Sequence, residues 1–223
     1  MRYKLVIFDW DGTLMDSVPK IVNVLKLAAK QCGAAIPSED DAKSIIGLSL
    51  PTAVAKLFPN DENKRIALVQ AYKALYKEDD NTPTPLFTGA NELLDALSAI
   101  KVQLAVATGK SRKGLNRLMA ETSTVDYFVT TKTADEAQSK PSPDMLNQIL
   151  AMTGVAAEDA IMIGDSLLDI EMAKQAGVAA VGLTHGAATR AMLEQTQALA
   201  VLDSLTELNT FLLTEQHIDI KAS

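Results

Sequence analysis

The 223-residue sequence has few cysteines, few aromatic side chains and fewer basic than acidic residues. Cys32 is the only cysteine, which excludes a disulfide within the chain and a metal site built from several cysteines. The formal net charge of −7 argues against a nucleic-acid partner, although a local field still permits a small anionic ligand. The first apolar run, Leu5–Phe8, ends at Asp9, too early for a signal-peptide core or a membrane span. We therefore expect a soluble cytoplasmic protein without a membrane partner.

The sequence does contain five short apolar or β-branched segments that are typical of buried strands. They are Leu5–Phe8, Val102–Ala107, Tyr127–Thr130, Ala160–Ile163 and Val178–Val181. Most are separated by stretches in which apolar residues recur at helical spacing, such as Leu93, Leu94, Leu97 and Ile100. Strands that alternate with helices predict an α/β fold with a parallel sheet covered by helices on both faces.

One stretch, from about Asp16 to Asp80, breaks this alternation because it contains helical patterns and no convincing strand. Its predicted apolar stripes are Ile21, Val24, Leu25 and Ala28; Ala53, Val54 and Leu57; and Ile66, Val69, Tyr72 and Leu75. Pro83 and Pro85 then stiffen the return to the remaining strands. We predict a helical cap domain at residues 15–85, inserted into a core formed by residues 1–14 and 86–223. A single continuous domain is the alternative.

Two carboxylates, Asp9 and Asp11, directly follow the first predicted strand in the sequence DWDGT. Open parallel sheets bind ligands beyond the carboxyl ends of their strands, so both residues lie where a site is expected. Carboxylates this close repel one another unless a cation or a proton lies between them, and Mg²⁺ prefers such oxygen ligands. An acidic turn is the alternative, whereas a calcium loop is excluded because its glycine would fall on Leu14.

Thr108 and Gly109 follow the second predicted strand and precede a predicted helix. A hydroxyl, a close backbone N–H and the positive end of a helix dipole together suit a phosphate group. Gly109, Lys110 and Ser111 also match the end of a nucleotide-binding P-loop, but position 104, where its first glycine belongs, is a leucine. An ordinary helix cap explains the same residues.

Lys140, Asp165 and Asp169 lie at the ends of later predicted elements. Lys140 stands just before a helix start, on a segment that two prolines make rigid. Asp165 closes a strand as Asp9 does, and Asp169 follows four residues later. A solvated lysine and a helix cap are the ordinary interpretations of Lys140 and Asp169.

The combination of these motifs is more specific than any one of them. Two strand ends supply three carboxylates, a third strand end supplies a hydroxyl and amides, and a loop supplies a cation. These are the groups needed to hold one Mg²⁺ ion beside one phosphoryl group. The ordered set therefore predicts a single site for both.

The chain resembles the haloacid dehalogenase superfamily of hydrolases, in its phosphoglycolate-phosphatase-like branch. The resemblance rests on DWDGT at 9–13, the Thr108 motif, Lys140 and GDSLLD at 164–169, and it covers nearly the whole chain. It implies a Rossmann-like parallel core, with the first strand central, and a helical cap. It also implies a Mg²⁺-dependent phosphatase that hydrolyses a small phosphate monoester through an aspartyl phosphate on Asp9.

The same resemblance implies a role for each site residue. Asp9 is the nucleophile, and Asp11 is the general acid and base. Mg²⁺ is bound by Asp9, by Asp165 and by the backbone carbonyl of Asp11, while Asp169 orients the metal's water shell or Lys140. The phosphate oxygens are bound by Thr108, Gly109 and Lys140.

The sequence differs from that branch at two places that bear on which substrate is bound. Gly109 stands where its phosphoglycolate phosphatases usually have asparagine, and no arginine precedes the loop Gly47–Leu50, although Lys43 is a candidate replacement. These departures argue against phosphoglycolate, so the ester stays open between a phosphosugar and a phospho-acid. Lys56 and Lys73 of the predicted cap are further candidates for substrate contact.

Two other functions stay open at this point. A sugar phosphomutase of the same branch would return the phosphate to a sugar instead of to water. A receiver-like signalling module would use similar residues, but it takes its phosphate on an aspartate after a later strand and needs no helical insert. We expect a monomer or a weak dimer with a small-molecule phosphate ester as its partner.

Overall fold

The computed structural model describes residues 2–78 and 82–214. Its strands are β1 Leu5–Phe8, β2 Gln103–Thr108, β3 Thr130–Thr133, β4 Ala160–Gly164, β5 Ala179–Leu183 and β6 Ala200–Leu202. They form one six-stranded sheet in the order β3-β2-β1-β4-β5-β6. Every neighbouring pair is parallel, which confirms the predicted α/β class.

Helices connect these strands throughout the described residues. They are α1 Val18–Gln31, α2 Glu39–Lys43, α3 Leu50–Leu57, α4 Arg65–Glu78, α5 Ala90–Ala99, α6 Arg112–Glu121, α7 Asp144–Thr153, α8 Leu167–Gln175, α9 Arg190–Leu193 and α10 Leu205–Thr214. Side-chain hydroxyls begin many of them by accepting a backbone N–H, which satisfies a free donor of the first turn. These caps are Ser38, Ser49, Ser111, Ser166 and Thr189. Within 2–78 and 82–214, no helix has the length and apolar character needed to cross a bilayer.

The central strand β1 is buried along its whole length. Val6 and Phe8 belong to one hydrophobic cluster, and Leu5 and Ile7 belong to another on the opposite face of the sheet. Because both faces are covered, the strand is a continuous apolar run and does not alternate with polar residues. Phe8 is in register with Val106 of β2 and Ile163 of β4, so these three strands end at the same edge of the sheet.

The edge strands are where the sequence prediction was inaccurate. The third strand lies at Thr130–Thr133, three residues later than predicted, because Val125–Tyr127 forms a short 3₁₀ turn. The short strand β6 was missed. Both strands lie at the edges of the sheet, where a strand pairs with one neighbour and its own apolar pattern is weak.

Helices α1 to α4 lie between β1 and β2 in the chain, and residues 16–78 contain no strand. Their apolar residues form two clusters of their own, one around Leu25 and Ile45 and one around Val54 and Leu68. This arrangement agrees with an inserted cap. The proposed boundaries, 15–85 within 1–14 and 86–223, stay a prediction, and residues 79–81 and 215–223 lie outside the described part.

The predicted apolar stripe of α4 was wrong at Ile66, whereas Val69 and Tyr72 do pack against the clusters of the helical segment. Leu68 is buried and packs in the cluster with Ala29 and Val54, whereas Ile66 is 75% exposed. Helical spacing identified the helix but did not identify Leu68, because the neighbouring helices determine which of its residues are fully buried. Ile100 is likewise exposed, since it follows the end of α5.

The two α4 residues provide a direct test of this packing. We expect Leu68→Ala to lower the free energy of unfolding by about 2–5 kcal/mol, because it leaves a cavity in a closed cluster. Ile66→Ala removes a similar side chain from the solvent side and should change it by about 0.5 kcal/mol or less. Urea unfolding of both variants measures the difference. Equal losses would contradict the orientation of α4.

Candidate active site

The carboxyl edge of the sheet brings together the predicted residues of three strands. Asp9 follows β1, Asp165 follows β4, and Thr108 is the last residue of β2. All three are buried. The backbone N–H of Asp9 donates to the carbonyl of Ile163 at 2.9 Å, which continues the β1–β4 pairing by one residue and fixes where Asp9 leaves the sheet.

Lys140 is buried between two carboxylates. Its ammonium lies 2.9 Å from Oδ1 of Asp9 and 2.7 Å from Oδ1 of Asp169. Burial opposes the charge, but Asp169 and Asp9 together raise the pKa of Lys140 above its ordinary value. The ordinary interpretation of a solvated surface lysine is therefore wrong for this residue.

Asp169 has two structural partners. Its Oδ2 accepts the backbone N–H of Ser166 at 3.1 Å, and its own N–H donates to the Ser166 hydroxyl at 3.3 Å. This reciprocal capping box begins α8. Since Oδ1 of the same side chain contacts Lys140, the helix cap and the ion pair are both present.

Asp165 is held by donors on both carboxylate oxygens. The Thr13 hydroxyl donates to Oδ1 at 2.6 Å, and the N–H of Ala187 donates to Oδ2 at 2.7 Å. Gly12 has a φ of +76°, and a Cβ there would lie 2.3 Å from Oδ2 of Asp165, so only glycine fits this turn. Burial, together with Asp169 and Asp9, raises the pKa of Asp165 well above its usual value.

Asp11 contacts two residues that the sequence analysis did not assign to the site. The Ser17 hydroxyl donates to Oδ1 of Asp11 at 2.5 Å, and the ammonium of Lys110 lies 2.8 Å from the same oxygen. Lys110 was considered only as part of a false P-loop match. Its proximity to Thr108 in the sequence was the one available signal, and nothing in the sequence pointed to Ser17.

Gly109 lies directly beneath a loop between α2 and α3. A Cβ at this position would lie 2.5 Å from the carbonyl oxygen of Gly47 and 2.6 Å from that of Leu48. Both contacts are with backbone, which no side-chain rotation relieves. The loop that the sequence analysis singled out therefore covers the end of β2, and the missing side chain at 109 allows that approach.

Further contacts hold this loop and its helices against the core. The N–H of Ser49 donates to the hydroxyl of Ser139 at 2.9 Å. Leu168 of α8 and Ala187 pack against the apolar cluster formed by α1 and its neighbours. These contacts place the helical segment over the sheet edge that carries the site.

The acidic groups of the site fit a divalent cation. Asp9, Asp165 and Asp169 each offer a carboxylate oxygen, and these atoms lie within 4.8 Å of one another. Among the described residues, the four buried carboxylates of Asp9, Asp11, Asp165 and Asp169 face two ammonium groups, those of Lys140 and Lys110. A bound Mg²⁺ would balance the remaining two negative charges, and oxygen ligands are the ones it prefers.

Asp9 illustrates this excess of negative charge. Burial raises the pKa of Asp9 to about 7; Lys140 opposes this rise, whereas Asp169 and Asp11 add to it. A second cation beside Asp9 would favour its ionised form, which is the form able to act as a nucleophile.

The structure shows the surroundings of the three lysines that were considered as substrate contacts. Lys43 pairs with Glu39 at 2.7 Å and lines a cleft of about 380 Å³ beside α1. Lys56 and Lys73 are exposed. None of the predicted catalytic or phosphate-binding residues lines that cleft.

The fold and the acidic site are those of a hydrolase with a parallel α/β core. The chain belongs to the haloacid dehalogenase-like hydrolase family, whose model matches residues 6–183. It is 32% identical over 208 residues to "Probable phosphatase IndB" of Dickeya dadantii, covering 91% of this chain and 90% of that protein. It is also 32% identical over 219 residues to a phosphoglycolate phosphatase of Rhodospirillum rubrum, with 94% and 90% covered.

A solved structure supports the same fold. The crystal structure of a predicted phosphatase from Clostridium acetobutylicum has a TM-score of 0.85 and 24% sequence identity to this chain, covering 95% of this chain and 99% of that one. The predicted family and its phosphoglycolate-phosphatase-like branch are confirmed. The family match also argues against the receiver-like alternative.

The metal assignment can be tested at Asp165. We expect Asp165→Ala to raise the Mg²⁺ concentration needed for half-maximal phosphate release by at least about tenfold, because it removes a predicted ligand. Asp126→Ala, which removes an exposed carboxylate, is the control. Titration of Mg²⁺ after treatment with chelator gives both values. An unchanged requirement in Asp165→Ala would remove this residue from the metal site.

The close contact at Gly109 yields a second test. We expect Gly109→Ala to lower kcat/KM by at least about tenfold with little change in Tm, because the new Cβ prevents the loop at Gly47 from closing. Gly114→Ala, within α6, adds the same methyl group away from that loop and should leave kcat/KM unchanged. Wild-type activity in Gly109→Ala would show that the observed approach is not needed for turnover.

Proposed function

We propose that this protein is a Mg²⁺-dependent phosphatase that hydrolyses a small phosphate monoester through an aspartyl phosphate on Asp9. The observation that carries the proposal is the contact of buried Lys140 with both Asp9 and Asp169, beside Asp165. This arrangement fixes one carboxylate at the end of the central strand and surrounds it with the charges that phosphoryl transfer requires.

In the first step an oxygen of Asp9 attacks phosphorus, and the bond from phosphorus to the ester oxygen breaks. The contacts of Asp9 with Lys140 and with the N–H of Trp10 both use Oδ1, so Oδ2 is the oxygen left for attack. Asp11 donates its proton to the leaving oxygen as that bond breaks. Lys140, the Thr108 hydroxyl and the N–H of Gly109 bind the oxygens of the transferring group.

In the second step Asp11, now a carboxylate, takes a proton from water. That water attacks phosphorus, the bond to Asp9 breaks, and free phosphate leaves. Ser17 and Lys110 hold the Asp11 side chain in place for both proton transfers. The enclosure by the helical segment keeps other water away from the first step.

Asp9, Asp165 and the backbone carbonyl of Asp11 would hold Mg²⁺, with Asp169 orienting its water shell or Lys140. When bound, the ion neutralises charge on the transferring phosphoryl group.

Asp11 also favours phosphate esters over haloacids as substrates. A halide leaves without a proton, so a dehalogenase of this superfamily does not need a second acid at this position. Asp11 is buried, and Ser17 and Lys110 hold its side chain in a fixed position, as a residue that transfers protons requires.

The nucleophile is tested by Asp9→Asn. We expect phosphate release from small monoesters to fall by about 10³-fold or more, because the amide is a poor nucleophile. Asp126→Asn, at an exposed carboxylate, should retain full activity. Acid quenching of the wild type during turnover should also yield a phosphorylated peptide that contains Asp9. Near-normal rates in Asp9→Asn would refute the assignment.

The same assay separates hydrolysis from the mutase alternative. A phosphatase releases inorganic phosphate without a bisphosphate activator, whereas a mutase returns phosphate to a sugar.

We further propose that the protein acts in the cytoplasm as a monomer or a weak dimer, with neither nucleic acid nor membrane as a partner. The net charge of −7 argues against a nucleic-acid partner.

A further inference from the structure

The loop that follows β5, at residues 184–188, lies directly against Asp165. The N–H of Ala187 donates to Oδ2 of Asp165 at 2.7 Å, and the N–H of Ala188 donates to the backbone carbonyl of Asp165 at 3.0 Å. A Cβ at Gly186 would lie 2.1 Å from the same Oδ2, so only glycine allows the backbone to come this close. This loop therefore forms one wall around a predicted metal ligand.

His185 connects this loop to the chain that leaves β1. Its Nε2 lies 3.1 Å from the carbonyl oxygen of Thr13, and because a carbonyl only accepts, Nε2 carries the hydrogen. Burial lowers the pKa of His185, so the ring is neutral near neutral pH. The hydroxyl of Thr13 in turn donates to Oδ1 of Asp165 at 2.6 Å. The imidazole therefore joins two segments that each hold one oxygen of the same carboxylate.

These contacts form a closed circuit around the carboxylate of Asp165. The circuit runs from Oδ1 through Thr13 to the ring of His185, then along the loop backbone to Ala187 and back to Oδ2. A carboxylate has about four acceptor positions, and the circuit uses one on each oxygen, so the others stay available for a cation. Because both oxygens are held, the side chain cannot rotate without breaking a hydrogen bond.

Asp165 needs this restraint because its neighbours repel it. Asp9, Asp165 and Asp169 each place a carboxylate oxygen within 4.8 Å of the others, in the buried group that fits a divalent cation. Like charges at this distance favour rotation of a side chain away from the group. Residues that hold a metal ligand in place therefore contribute to metal affinity although they do not touch the metal.

The orientation of the imidazole is fixed from another side by Phe87. The centroids of the two rings are 3.9 Å apart, and their planes are tilted by 32°. The N–H of Phe87 donates to the carbonyl of Leu14 at 2.9 Å, so the phenyl ring is itself fixed beside the residue that follows Thr13. The packing of the two rings keeps Nε2 directed toward Thr13. The N–H donor and the ring are thus two separable properties of His185.

We propose that His185 is a positioning residue for the metal site, and that it orients Asp165 through its hydrogen bond to Thr13. This inference rests on the proposed function, since it concerns a predicted ligand of Mg²⁺ in the same reaction. The sequence analysis assigned no role to His185, because only the folded chain brings the end of β5 beside Thr13.

Three substitutions separate the donor of His185 from its ring. His185→Gln keeps an N–H without the ring, His185→Met matches it in length without the donor, and His185→Phe keeps a ring without the donor. Calorimetric titration of Mg²⁺ into the chelator-treated proteins measures the affinity without catalysis. We expect His185→Met and His185→Phe to weaken Mg²⁺ binding by at least about fivefold, because direct partners of a ligand contribute roughly 10–100-fold and His185 acts through one of them. His185→Gln should retain most of the affinity.

Two further measurements distinguish positioning of the metal ligand from a general effect on folding. In phosphate-release assays, saturating Mg²⁺ should restore most of the kcat of His185→Met, because a weakened site can still be filled. Thermal unfolding without Mg²⁺ should give similar Tm values for His185→Gln and His185→Met. If His185→Phe does not fold, these two variants of equal length still decide the outcome.

The inference is overturned if His185→Gln and His185→Met bind Mg²⁺ equally well, or if His185→Phe alone retains the wild-type affinity. Asp165→Ala in the same titration keeps the two proposals apart. Unchanged affinity in Asp165→Ala contradicts the predicted metal site itself. Weakened binding in Asp165→Ala, together with wild-type binding in His185→Met, overturns only the role of His185.

Discussion

The rest of the site depends on the two ion pairs that buried Lys140 makes. Its ammonium lies between Asp9 and Asp169, two carboxylates that would otherwise repel each other in an interior where charges are poorly screened. By pairing with both, it connects the end of β1 with the start of α8. The sheet and α8 determine where the two carboxylates lie, and Lys140 compensates their negative charge.

The core and the helical segment contribute different kinds of groups. The core provides all the charged residues assigned to phosphoryl transfer, from the ends of β1, β2 and β4, from the loop after β3 and from the first turn of α8. The helical segment contributes backbone carbonyls over Gly109, the Ser49 N–H and the ring of Tyr76. The helical segment therefore covers the site through backbone groups and an aromatic ring, whereas the charged groups assigned to the reaction come from the core.

The convergence of Asp9, Thr108 and Asp165 was predictable from the sequence, because parallel strands in register end at one edge of a sheet. Lys140 was predictable only as part of that set. The roles of Thr13, Ser17 and Lys110 could not be predicted from the sequence, because each depends on the path of a loop or on how the helices pack over the sheet. Leu68 of α4 was missed for the same reason, since its burial depends on the neighbours Ala29 and Val54.

Asp169 belongs to the fold and to the site at once. One of its oxygens begins α8 through Ser166, and the other neutralises Lys140. A replacement that removes this carboxylate alters both the cap of α8 and the charge beside Asp9. Evolution of the two properties is therefore coupled at this residue, and a more stable α8 has to be obtained through substitutions further along the helix.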